Sequence, residues 1–215
     1  MPQVSTSDLL DLAGVKPHMF YRAMSFDLVT RSTASATTGE PADREYYRAA
    51  RNYGAPVGKL EFTFDAATLP TWPYFMGVRT VFSRAGRDVI SAHLGTADRI
   101  RFFEYTVTLA GGISDEVHVA LPTEHVDVLS PWSTVAPNGV AQWWALDLAK
   151  LRDRSFFIVP EASTDVVMRG DLILALHEIG WPGYVYELRV MDGKHMVAYE
   201  EWAEHPEWTH CQPPQ

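Results

Sequence analysis

The chain has 215 residues, 47% hydrophobic and 21% charged, a balance that fits one or two globular domains and excludes wholesale disorder. It has no apolar run of about 18 residues, so no membrane-spanning helix is expected, and its single cysteine, Cys211, excludes an internal disulfide framework. The net charge of −9 is uneven: residues 1–107 carry 12 basic and 11 acidic groups, whereas 108–215 carry 6 and 16, a net −10.

In chain order, Ser7 can cap a short helix through Asp8, Leu9, Leu10 and Leu12 that stops at Gly14. Residues 19–26 are apolar and aromatic and read as a strand. Residues 30–43, TRSTASATTGEPAD, hold no large apolar side chain and read as a flexible surface loop. In DREYYRAARNYG, Arg44, Arg48 and Arg51 alternate with tyrosines, as on a solvated helix face. Residues 59–64 put Leu60, Phe62 and Phe64 on one side and Glu61 and Thr63 on the other, a half-buried strand. After the short apolar run 78–82, Ser83 caps a helix through Val89, Ile90 and Leu94, ended by Gly95.

Residues 100–109 form a long strand that Gly111 and Gly112 turn into 116–121, a β-hairpin. Residues 126–129 extend the pattern, and 142–148 and 155–159 are further strand candidates. Residues 171–179 are helical, with Leu172, Ile173, Leu176 and Ile179 on one face and Gly180 as the stop. A strand over 184–190 and an acidic tail over 200–215 complete the chain. Residues 78–107 and 165–190 both read strand, helix, glycine, strand. The expected fold is a single α+β domain over 1–215. Its sheet is mainly antiparallel with small helices, and two similar strand–helix–strand units stand around the central hairpin.

The usual catalytic motifs are missing. There is no HExxH, no GxSxG, no GxxxxGK[ST] and no GxGxxG. The pairs Asp115-Glu116 and Glu200-Glu201 are adjacent in sequence, and neighbours on a strand face opposite sides. His205, His210 and Cys211, with Glu204 and Glu207, offer zinc-type donors, but they lie at the terminus and a plain polar tail is the preferred reading. No catalytic residue, cofactor or metal ligand is therefore assigned. Trp143 and Trp144 alternate between faces, so one of them is expected in the core. The acidic half disfavours nucleic acid and favours a basic protein partner. Glu200, Glu201, Trp202, Glu204, Glu207 and Trp208 form the candidate binding surface, since aromatic anchors dominate interface energetics.

The segments Val81-Phe82-Ser83, Val126-Asp127-Val128-Leu129-Ser130, Trp144-Ala145-Leu146-Asp147-Leu148-Ala149-Lys150-Leu151, Phe156-Phe157-Ile158, and Val166-Val167-Met168 through Gly180 and Gly183 form one pattern of apolar and turn residues. Taken together, they resemble the immunity protein 11 family, whose members accompany bacterial polymorphic toxins. The segments span 78–190. One departure is Met168-Arg169, where the pattern has a serine before the helix. The resemblance implies a cytoplasmic protein that binds and neutralises a cognate toxin, without catalysis. It assigns no contact residues. Two alternatives stay open: an enzyme, hydrolytic or metal-dependent, whose site is assembled from distant residues, and a scaffold or small-ligand binding domain.

Overall fold

The computed structural model describes residues 9–10, 14–24, 32–36, 41–54, 60–73, 75, 78–138, 141–143, 145–159, 165–181, 184–197 and 201. The fold is α+β and mainly antiparallel. Its strands are β1 (Leu9–Leu10), β2 (Phe20–Met24), β3 (Ser32–Ala36), β4 (Leu60–Phe64), β5 (Val81–Ser83), β6 (Ile100–Leu109), β7 (Ser114–Pro122), β8 (Thr134–Val135), β9 (Ala141–Trp143), β10 (Leu146–Asp147), β11 (Phe156–Val159), β12 (Asp165–Arg169), β13 (Tyr184–Glu187), β14 (Val190–Asp192) and β15 (His195–Val197). The helices are α1 (Ala42–Arg51), α2 (Arg84–His93) and α3 (Gly170–Glu178). Among the described residues no helix is long and apolar enough to cross a membrane.

One five-stranded sheet has the order β1-β13-β2-β12-β11 and is antiparallel throughout. The other has the order β3-β4-β6-β7-β5, with β4 and β6 parallel. Strands β5 and β6 both pair with β7, and β12 and β13 both pair with β2. Each pair therefore runs parallel with a third strand between them, and the intervening helix, α2 or α3, makes the crossover.

Two apolar cores result. In the smaller one, Tyr46, Ala49 and Ala50 of α1 cover Phe62, Phe64, Val107, Val117 and Val119. The larger core joins both sheets, α2 and α3 through Phe82, Ile90, Ala120, Phe156, Met168, Leu172 and Trp181. Trp72 lies at its centre, 4.9 Å from the Phe82 ring and 5.4 Å from Trp181, and its indole N–H donates to Arg79 O at 2.8 Å. Strands β11 and β12 are buried at every position, which accounts for the apolar runs Phe156–Val159 and Val166-Val167-Met168, while Asp165 and Arg169 at the two ends of β12 are buried against charged partners.

Several local expectations hold at the residue. Strand β4 alternates buried and exposed from Leu60 to Phe64. Ser83 Oγ accepts the Gly86 N–H at 3.2 Å, capping α2. Helix α3 has no serine cap because the segment just before β2 supplies acceptors instead. The Gly170 N–H donates to Met19 O, and the Asp171 N–H to Pro17 O. Arg169 turns its guanidinium onto the Asp171 carboxylate at 2.6 and 2.7 Å. A Cβ on Gly170 would stand 1.9 Å from Lys16 O, so only glycine admits this approach.

Other expectations are corrected. Leu9–Leu10 is a strand on the edge of β13, where tertiary hydrogen bonding overrides helical propensity. Ser32–Ala36, within the stretch read as a loop over 30–43, pairs with β4 through its backbone, and α1 already begins at Ala42. Residues 126–129 form no strand beyond a single bridge from Leu129 to Leu146. The 142–148 candidate divides between β9, β10 and a 3-10 turn at Leu148–Lys150. The 184–190 strand divides between β13 and β14, which belong to different sheets. Ile179 is 40% exposed, because the chain leaves the helix there and its carbonyl accepts from Thr71 Oγ1.

Candidate functional site

Of the six residues predicted to bind a partner, Glu201 lies within the described residues, and its carboxylate meets His195 Nε2 at 2.9 and 3.2 Å. Glu200, Trp202, Glu204, Glu207 and Trp208 lie outside them, as do His205, His210 and Cys211 and the side chains of Trp143 and Trp144. The His195–Glu201 contact places Glu201 beside the β14–β15 hairpin. A tryptophan that the sequence reading passed over reaches the same hairpin. Trp132 is 48% exposed, and its indole N–H donates to Gly193 O at 2.9 Å, in the turn between the two strands.

The backbone beneath Trp132 is well tied. Its N–H donates to Ser130 Oγ at 3.3 Å, and the Ser130 N–H donates to Ala145 O. Ser133 Oγ donates to Ala145 O and accepts from Ala145 N–H. An exposed indole held at both ends loses little freedom when it is covered. Met196, 58% exposed, stands next to His195 on β15, and Asp192 faces His195 across the hairpin. The hairpin that carries Met196 and Asp192 thus has an anchored aromatic, Trp132, and a second carboxylate, Glu201, hydrogen-bonded to it. A Trp in a Ser-Pro-Trp-Ser turn, away from any apolar periodicity, is the signal that was available in the sequence.

A second cluster arises from pairing across the long β6–β7 hairpin. Glu104 lies directly opposite His118, and Glu116 follows on the same face two residues before His118. One donor atom from each side chain falls within 4.8 Å of the others. His118 is only 4% exposed, and its Nε2 has no hydrogen-bond partner among the described residues. Burial pushes this imidazole below the usual histidine range, and the nearby Arg87 adds to the effect. Arg84, the first residue of α2, hydrogen-bonds the Glu116 carboxylate and holds it below its ordinary range. Sequence spacing alone did not bring these groups together, because 104 and 118 meet only once the hairpin register is set. A turn centred on Gly111 pairs positions equidistant from it, and that symmetry was the usable signal.

Two buried carboxylates serve the frame. Asp98 Oδ2 accepts three backbone N–H groups, from Gly95 at 2.7 Å, Ser155 at 2.9 Å and Phe156 at 3.2 Å. It therefore clamps the α2–β6 turn to the start of β11. Burial pushes its carboxyl up to about 6, against the pull of those three donors and Arg154. Asp165 Oδ1 accepts from both Arg22 and Arg79 at 3.0 Å, joining β2, the segment before β5, and β12. Burial also raises this carboxyl, and the two guanidiniums oppose the rise.

Compared with models of known protein families and with curated proteins, the chain matches none.

Proposed function

We propose that this chain is an immunity-type protein that binds a cognate, basic bacterial toxin domain in the cytoplasm of the producing cell and neutralises it stoichiometrically, without catalysis. The observation that carries this reading is Trp132, exposed yet fixed through its indole N–H to Gly193. Tryptophan is among the residues most enriched at interface hot spots, and anchoring it in advance lowers the entropic cost of docking. Asp192 on that hairpin and Glu201 beside it, with the net −10 of residues 108–215, supply a complementary field for a basic partner. The resemblance of 78–190 to immunity proteins points the same way.

The test is co-purification of the tagged chain with the product of the adjacent upstream gene, together with co-expression toxicity. The expected result is a one-to-one complex that abolishes toxicity and weakens as salt rises. No complex together with full toxicity refutes the proposal.

A further inference from the structure

We propose that Glu104, Glu116 and His118 bind one divalent transition-metal ion of the zinc class. The three donors come from neighbouring strands of a regular hairpin, so their backbones are already fixed, and one donor atom from each lies within 4.8 Å of the others. Around a tetrahedral ion with bonds of about 2.0–2.1 Å, ligand atoms sit about 3.3 Å apart. The widest separation therefore has to close by no more than about 1.5 Å, and Glu104 is exposed and free of the packing that fixes His118.

The independent observation is His118 itself. Buried polar atoms are nearly always paired, yet this imidazole is 4% exposed and its Nε2 has no hydrogen-bond partner among the described residues. Imidazole nitrogen with two carboxylates suits zinc, cobalt, nickel, iron and manganese better than magnesium or calcium, which prefer all-oxygen shells. Arg84 supplies the positive charge that Glu116 faces, and it is 64% exposed at the first position of α2. It can swing into solvent and yield its place to the ion. Arg84 is therefore a competitor for the site, and removing it strengthens metal binding.

The experiment is calorimetric titration of the full chain with zinc, repeated with cobalt. It is done in a background of His205→Ala, His210→Ala and Cys211→Ala so that the C-terminal donors are silent. One equivalent is expected to bind. Glu104→Gln, an exposed change that leaves the metal-free melting curve unaltered, weakens binding by about 10- to 100-fold. His118→Ala abolishes it, and Arg84→Ala tightens it several-fold. Arg84→Ala is informative because losing a merely structural ion pair does not raise metal affinity. The proposal is overturned if no saturable binding is seen in this background, if Glu104→Gln binds as tightly as the parent, or if Arg84→Ala weakens the site.

Discussion

Asp98 offers the sharpest test of how this frame is held together. Its Oδ2 takes three backbone N–H groups from two separate segments, while burial lifts its carboxyl to about 6. In the unfolded chain the same group titrates near 3.8. Between those values the folded protein binds more protons than the unfolded one. Stability from this group therefore falls as pH rises from about 4 to 6, and it stays low above that range. A difference of about two pKa units corresponds to about 3 kcal/mol.

Asp98→Asn keeps an oxygen for the three donors and removes the ionisation. It should match the parent near pH 4 and exceed it by up to about 3 kcal/mol near pH 8. Asp98→Ala leaves three N–H groups without their acceptor, at about 1–3 kcal/mol each where water does not replace it, so it should be destabilised by about 3 kcal/mol or more at pH 4. Urea unfolding of the three proteins from pH 4 to 8 measures both effects, and comparing variants with the parent cancels the other titrating groups. An Asn variant less stable than the parent at pH 8, and increasingly so as pH rises from 4 to 6, would refute the reasoning. It would show that the three N–H donors outweigh burial.

The remaining predictions concern the binding face and the packing. Trp132→Ala should weaken partner binding by about 2 kcal/mol, roughly 30-fold, while shifting the unfolding free energy by less than about 1 kcal/mol; surface plasmon resonance and chemical denaturation separate the two. Gly170→Ala should destabilise by about 3 kcal/mol, since the added methyl meets the Lys16 carbonyl. An unchanged denaturation midpoint would show that the approach of the two segments is soft. Removing both Arg22 and Arg79 strands Asp165 as a buried charge and should cost about 3–5 kcal/mol at pH 7. The loss should shrink at acid pH, where protonation neutralises Asp165, and a pH-independent loss in urea melts would exclude that cause.

Where a side chain's own neighbours decide its environment, the sequence was readable. Leu60, Phe62 and Phe64 alternate because one face of β4 meets α1, and the Ser83 cap and the Gly180 stop act within one turn of their helices. The hairpin of β6 and β7 follows from two apolar stretches and a glycine pair. The site was far less legible. Trp132 looks like any turn residue until Gly193, 61 positions away, accepts its indole N–H. Glu104, Glu116 and His118 look scattered until strand register brings them to one face.

By itself, then, the sequence determined the α+β class, the main helices, the hairpin and the acidity of the second half, because periodicity, capping and charge are local or additive properties. Only the tertiary structure decided that Leu9–Leu10 joins β13, that Ser32–Ala36 pairs with β4 despite having no large apolar residue, and that β2 runs between β12 and β13. Those pairings rest on backbone hydrogen bonds between distant segments. Every peptide unit except those at proline carries the same donor and acceptor, so no side-chain pattern names the partner in advance.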